Sequence, residues 1–273
     1  MHNAQLKNES SKLPPLGGGL GRGLFLGIIP SRYASTRFPG KPLADMDGKP
    51  MIQRVYEQVV ATVDDLYVAT DDERISEAVK SFGGKVILTS EKHNSGTDRC
   101  YEAALKAGGS FDVVINIQGD EPFIQPEQIE LLKSCFSEPD TQIATLVKPL
   151  DKDGDFEKTI FNPNTPKVVL NNRSEAMYFS RSIIPYIRGK EYTEWLGANT
   201  FYKHIGLYAY RMDILKKITA LPQSSLEIAE SLEQLRWLQN GYKIKVAITN
   251  QETIGIDTPE DMEKALEFLR SHH

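Results

Sequence analysis

Three cations, Arg32, Arg37 and Lys41, crowd into the stretch 27–43, which reads Gly-Ile-Ile-Pro-Ser-Arg-Tyr-Ala-Ser-Thr-Arg-Phe-Pro-Gly-Lys-Pro-Leu. Arg and Lys side chains among small residues, placed just after an apolar run, suit a polyphosphate. By charge pattern alone such a cluster reads as a solvated surface loop. Pro30, Pro39 and Pro42 shift that balance, because they restrict the backbone as a preorganised anion site requires. Two carboxylates stand far from this loop in sequence. Asp120 follows an apolar strand and Asp257 precedes a helix, and each taken singly reads equally as a turn or capping residue.

Two common phosphate-binding devices are excluded by the letters. A P-loop needs Gly, four residues, then Gly-Lys-Ser/Thr; here Pro42 follows Gly40-Lys41 and Ser35 stands at the first glycine position. The glycines from Gly17 to Gly23 miss the dinucleotide spacing and lie before the first strand. Neither an ATPase of that kind nor a dehydrogenase is favoured.

The elements that must position these groups follow from apolar periodicity. The run 24–29 reads as a buried strand ended by Pro30. Met51, Val55 and Val59 make a helical stripe after Pro50. A strand at 66–70 precedes a helix marked by Ile75, Ala78, Val79 and Phe82, which Gly83-Gly84 stops. A strand over 86–88 leads through a polar loop, 89–97, to a helix over 98–107. The almost uniformly apolar 113–117 reads as a strand buried on both faces. Strand and helix thus alternate up to residue 136, which predicts a parallel, doubly wound α/β sheet with ligands at the carboxyl ends of its strands.

Beyond that the regularity loosens. Strands are expected over 143–147, 167–170, 176–179, 205–210 and 243–248, loops over 151–154 and 188–200, and helices over 226–239 and 259–269. The expected fold class is α/β, a Rossmann-like doubly wound mixed sheet with a smaller mixed-sheet extension. Residues 1–23 read as a disordered leader, 24–150 as a nucleotide-binding half, and 151–273 as a mixed-sheet extension that completes the site, to which the resemblance described below assigns sugar binding and dimerisation.

Bulk composition bounds the function classes. A net charge of −5 provides no global basic field for nucleic acid. Cys100 and Cys135 are the only cysteines, too few for a disulfide framework or a cysteine zinc site, which suits a reducing cytoplasm. No apolar segment approaches the roughly 20 residues of a membrane span, and the polar N-terminus does not read as a signal peptide.

The loop 27–43 resembles the signature loop of the sugar nucleotidylyltransferase family, and most closely its 3-deoxy-manno-octulosonate (Kdo) cytidylyltransferase branch. Further matches are Ala-Thr-Asp at 69–71, His-x-Ser-Gly-Thr-Asp-Arg at 93–99, Asn-x-Gln-Gly-Asp-Glu-Pro at 116–122 and Tyr-Phe-Ser-Arg-Ser at 178–182. Later ones are Lys-His-Ile-Gly-Leu-Tyr-Ala-Tyr-Arg at 203–211, Leu-Glu-Gln-Leu-Arg at 232–236 and Gly-Ile-Asp-Thr-Pro-Glu-Asp at 255–261. Ser31, Phe38 and Asp98 depart from the family's usual Ala, Leu and Glu without removing a charge from the loop.

The resemblance implies the nucleotide-diphospho-sugar transferase fold and attack of an acidic sugar, Kdo, on the α-phosphorus of CTP. It also implies a homodimer in the cytoplasm serving lipopolysaccharide biosynthesis. Arg37 and Lys41 would face the leaving pyrophosphate and Arg32 the nucleotide phosphates. Asp120 and Asp257 would hold Mg²⁺, which favours one or two carboxylates plus phosphate oxygens and water. Thr70, Ser95, Gly96 and Arg99 would meet the nucleotide; without the resemblance they are ordinary turn residues. Gln118, Arg181, His204, Tyr208, Glu233 and Gln234 would line the sugar side, with a structural salt bridge the alternative for Arg181, a packing role for His204 and a helix surface for the last two. His93 lacks a second ligand at metal spacing, and Trp195 and Trp237 read as core or interface residues.

Overall fold

The period-two alternation of Phe25–Ser31 (β1) sends Phe25 and Ile29 to one side of a sheet and Leu26 and Ile28 to the other, and both sides are buried. The structure is a computed structural model that describes residues 23–34, 37–151 and 160–271. The expected leader, apart from Gly23, lies outside the described residues, as do Ser35, Thr36 and most of the loop expected at 151–154.

After β1 the order is α1 (Met51–Val59), β2 (Asp65–Thr70), α2 (Glu73–Ser81), β3 (Val86–Leu88), α3 (Gly96–Ala107), β4 (Val113–Asn116) and α4 (Pro126–Ser134). There follow β5 (Ile143–Pro149), β6 (Lys167–Leu170), β7 (Ala176–Ser180), the short α5 (Trp195–Ala198) and β8 (Tyr202–Arg211). The chain closes with α6 (Met212–Thr219), α7 (Ser225–Glu230), α8 (Gln234–Gln239), β9 (Ile244–Ile248) and α9 (Pro259–Ser271).

The main path of the sheet runs β3-β2-β1-β4-β8-β5-β9, with the β6–β7 hairpin joined to β8. The first four strands are parallel, as expected; β8 is antiparallel to both β4 and β5, and β9 is parallel to β5. The sheet is therefore mixed, and one sheet runs through both halves of the sequence. The chain leaves β1 to build β2 on one side and returns to β4 on the other, so the β1/β4 crevice is the topological switch point.

Three local readings are corrected, the first being the loop expected over 188–200, which holds a 3-10 turn and the short α5. Pro30 does not end β1: it pairs in register with Ala69, and Ser31 with Thr70. Its missing N–H is tolerated because β4 pairs with β1 only as far as Ile28, leaving Pro30 paired on one side. The helix expected over 226–239 is two helices, broken where Ser231 takes a left-handed φ of 50°.

Two large clusters fill the faces of the sheet, one under α1, α2 and α4 and the other under α3, α6 and α8. A separate small cluster joins Met46, Met51, Ile256, Met262 and Ala265, with Phe38 and Phe123 packed against it. It docks α9 onto the loop after β1 and the start of α1. No helix among the described residues is long and apolar enough to cross a membrane.

Candidate functional site

The loop after β1 turns back at Gly40, whose φ of 71° favours glycine and whose N–H donates to the Tyr33 carbonyl at 2.9 Å. A 3-10 turn over Lys41–Leu43 follows and sends the Lys41 side chain inward. Its Nζ lies 2.6 Å from Asp120 Oδ2, 2.7 Å from the Ile256 carbonyl and 3.5 Å from Asp257 Oδ1. Arg37 Nη1 stands 3.0 Å from Asp257 Oδ2 in an exposed pair. Arg32 is exposed and makes no ion pair with a described residue.

Gly119 explains how Asp120 reaches this point. A Cβ there would fall 2.9 Å from Ser31 Oγ and 3.2 Å from the Pro30 carbonyl, so only a hydrogen lets the loop after β4 lie against the end of β1. The Ile256 N–H donates to the Asp120 carbonyl at 2.9 Å. Ile256 thus joins both partners through its backbone, while its side chain is sunk in the methionine-lined cluster.

The capping role open to Asp257 belongs to its neighbours. Thr258 Oγ1 accepts from the Asp261 N–H, and Asp261 Oδ2 accepts from the N–H groups of Asp257 and Thr258. The Asp257 carboxylate is left to face Lys41 and Arg37. Asp120 likewise spends its carboxylate on Lys41. Beside it, Glu121 is pushed up to about 8 by burial and then by the Asp120 charge.

Asp120 from the loop after β4, with the Ile256 carbonyl and the Asp257 carboxylate from the segment before α9, therefore converge on one cationic position, held by an ammonium. An all-oxygen donor set of this kind fits a hard divalent cation that draws its remaining ligands from phosphate and water. No cluster of three or more His, Cys, Asp or Glu suited to a metal occurs among the described residues, and His93 is instead paired with Glu102.

The candidate nucleotide contacts divide. Ser95 and Gly96 are not loop residues: Ser95 caps α3, its Oγ accepting from the Asp98 N–H at 3.1 Å, and Gly96 is the first helical residue. A Cβ on Gly96 would stand 3.5 Å from Pro30 Cγ and 3.8 Å from Asn116 Nδ2, so the α3 N-terminus sits over the β1/β4 switch point. Thr70 is buried, its Oγ1 accepting from the Asp72 N–H at 3.2 Å.

Arg99 is elsewhere engaged. It is only 1% exposed, with Nη2 2.8 Å from Asp71 Oδ2 and Nη1 donating to Thr89 Oγ1 at 2.6 Å. Its guanidinium ties α3 to the ends of β2 and β3. Ser31 Oγ and Asn116 Oδ1, which sequence reasoning passed over, are buried at the crevice without a partner among the described residues. Their signal was a polar residue closing an apolar strand.

Among the residues expected to meet a sugar, those on β8 flank a bulge. Thr145 pairs with Tyr208 but the next residue, Leu146, pairs with Ile205. Residues four apart in a regular strand stand about 13 Å from each other, yet the His204 and Tyr208 rings are 5.2 Å apart between centroids. Gln118 Nε2 donates to the bulged Gly206 carbonyl at 3.1 Å, bringing the Asp120 loop to the same place. Burial pushes His204 down to about 3, so its imidazole is neutral. Thr145 Oγ1 has one proton and two carbonyls to give it to, Ile205 and Leu207; it therefore accepts from His204 Nε2–H at 3.1 Å, leaving Nδ1 the acceptor.

Glu233 heads α8 and accepts from Thr97 Oγ1 at 2.7 Å, which links the starts of α3 and α8. Burial raises its carboxyl against the lowering bonds from Thr97 and the charge of Arg236. Tyr208 Oη and Gln234 Nε2 are buried without partners among the described residues. These five groups, Gln118, His204, Tyr208, Glu233 and Gln234, are carried on the loop after β4, on β8 and at the start of α8.

Arg181 stands apart. Its guanidinium donates to the carbonyls of Glu230 at 2.6 Å, Pro163 at 2.9 Å and Ser231 at 3.3 Å. It closes the C-terminal carbonyls of α7 and stabilises the helix break. Among the described residues it makes no salt bridge, and Nε, Nη1 and Nη2 each donate to a main-chain carbonyl. Trp195 and Trp237 are both buried in clusters.

A family model described as cytidylyltransferase matches residues 26–244. The chain is 74% identical over 245 residues to the 3-deoxy-manno-octulosonate cytidylyltransferase of Parabacteroides distasonis, a match covering 90% of this chain and 98% of that one. It is 46% identical over 251 residues to the protein of the same name from Geobacter sulfurreducens, covering 89% and 98%. The solved structure of CMP:2-keto-3-deoxy-manno-octonic acid synthetase complexed with CTP matches with a TM-score of 0.82 at 43% identity, covering 92% of this chain and all (100%) of that one.

Proposed function

The chain belongs to the cytidylyltransferase family, on the branch of the 3-deoxy-manno-octulosonate cytidylyltransferases, and from this we propose that it transfers CMP from CTP to Kdo with release of pyrophosphate. The observation that carries the site assignment is the meeting of Lys41 with Asp120 and Asp257 beside the β1/β4 crevice.

In this reading the anomeric oxygen forms a bond to the α-phosphorus as the bond to the β-phosphate oxygen breaks. Such a transfer depends on alignment and charge neutralisation, with no protein nucleophile. Lys41 and Arg37 would take up charge on the departing pyrophosphate, and Arg32 would hold the nucleotide phosphates. The neutral His204 would accept a sugar hydroxyl at Nδ1 rather than pair with the sugar carboxylate. Gln118, Tyr208, Glu233 and Gln234 would orient the remaining hydroxyls.

Asp120 and Asp257 would hold Mg²⁺. Bound there, it would neutralise charge at the α-phosphate and ease deprotonation of the attacking hydroxyl. The same reading makes the protein a cytoplasmic homodimer serving lipopolysaccharide biosynthesis; two buried, unpaired thiols, Cys100 and Cys135, accord with a reducing compartment.

The test is pyrophosphate release from CTP with Kdo and Mg²⁺, against ATP, UTP and neuraminic acid. Release confined to CTP with Kdo is expected. Absence of release with any acidic sugar overturns the assignment.

A further inference from the structure

We propose that Arg74 is a positioning residue for the phosphate loop, acting through the ring of Tyr33; this rests on the loop's assignment to the CTP triphosphate. The two arms of the loop meet on that ring. Tyr33 leaves β1 on the outgoing arm, and its carbonyl accepts the Gly40 N–H of the returning arm at 2.9 Å. A Cβ on Gly40 would lie 3.1 to 3.2 Å from ring atoms of Tyr33, so the returning backbone packs directly on the aromatic side chain. Lys41, the residue that reaches Asp120, comes next.

Arg74 covers this ring. Its guanidinium carbon lies 3.3 Å from the ring centroid, the geometry of a cation–π stack. The guanidinium is itself held, with Nε 2.9 Å from Asp72 Oδ1 and Nη2 2.6 Å from Asp72 Oδ2. Asp72 is fixed in turn, because its Oδ1 caps α2 through the Arg74 N–H and its own N–H donates to Thr70 Oγ1. A planar fork can stack on a ring and keep a bidentate carboxylate at once, which a lysine cannot.

A continuous set of contacts therefore runs Thr70, Asp72, Arg74, Tyr33, Gly40, Lys41. It starts at the end of β2 and finishes at the ammonium. The Arg74 charge is matched by Asp72, so its contribution is to hold the loop in shape rather than to neutralise phosphate. A loop already shaped loses less conformational freedom when nucleotide binds. Removing Arg74 should accordingly weaken CTP binding while leaving the chemical step and the sugar side unaffected.

The experiment measures CTP affinity by calorimetry, and kcat and KM for CTP and for Kdo, on the full chain. Arg74→Ala is expected to weaken CTP binding by about two- to fivefold, the worth of one partly exposed cation–π contact. The KM for CTP should rise with it, while kcat, the KM for Kdo and the thermal midpoint stay near wild type. Arg74→Lys should recover only part of the loss. Tyr33→Leu should weaken binding further, and Tyr33→Phe, which keeps the ring, should restore it. In the Arg74→Ala/Tyr33→Leu double variant the losses should not add, since one acts through the other. Equal CTP affinity in wild type and Arg74→Ala, or strictly additive losses, overturns the proposal. A wild-type chain that binds no CTP would instead remove the assignment of the loop on which the proposal rests.

Discussion

Lys41 and Asp120 are 79 residues apart in the chain and 2.6 Å apart in space, with the Lys41 side chain only 14% exposed. A pair this sheltered is screened far less than the exposed Arg37–Asp257 pair beside it. The two paired cations of the loop are thus unequal, and Lys41 is the one more sheltered from solvent.

Lys41→Met should lower kcat for pyrophosphate release about 10²- to 10³-fold, as loss of one preorganised electrostatic contact to a transition state does. Arg37→Met should have the smaller effect, since its side chain is 65% exposed. Steady-state rates at saturating CTP decide this, and equal losses would contradict the ranking.

Asp120→Asn and Asp257→Asn should each abolish turnover with little change in thermal midpoint. For Asp257 the clean outcome follows from the cap of α9 resting on Thr258 and Asp261. Thr258→Ala is the converse variant, costing about 1 kcal/mol of stability as a lost cap does. Chelator treatment should stop the wild-type reaction and added Mg²⁺ restore it.

Ile256→Ala should affect stability and rate together. Truncating a buried isoleucine costs about 2–5 kcal/mol, and here the same residue holds Asp120 and Lys41 through its backbone. Urea unfolding with parallel rate measurements checks it; a stability loss with undiminished kcat would show that the backbone bridge survives without its anchor.

His204 predicts a dependence on pH. In the folded chain it stays unprotonated down to about 3, against an ordinary value of 6.5. The unfolded chain binds the extra proton in between, so stability contributed by this residue is full above about 6.5 and falls as pH drops towards 3. His204→Gln should flatten that part of the curve of unfolding midpoint against pH.

Arg99→Ala should act on the fold before it acts on the nucleotide. Breaking a buried ion pair from one side costs about 3–5 kcal/mol because the remaining charge, here Asp71, is stranded. Thermal unfolding measured alongside CTP affinity separates the two effects.

Arg99 also marks where sequence reading stops. The strands of the first half were legible because buried parallel strands are continuous apolar runs, and Gly40, Lys41, Asp120 and Asp257 stood in recognisable surroundings. The partner of a cation is decided by packing across the fold, and nothing near Arg99 in sequence points to Asp71. The same holds for Arg181, whose partners are main-chain carbonyls that carry no side-chain signature. The break between α7 and α8 was hidden because Ser231 adopts a left-handed turn without the glycine that usually announces one. The β8 bulge rests on a shift in pairing between distant strands, which has no local pattern at all.

The position of β8 between β4 and β5 has a consequence for dissecting the molecule. A fragment ending near residue 150 would keep the loop after β1 and Asp120 but expose one whole edge of β4 and separate β5 from both its neighbours. Such bare edges pair with one another in preference to staying in water. Cutting the chain at that point should yield insoluble pieces rather than a working nucleotide-binding module, and co-expression of both pieces should be needed to recover soluble protein.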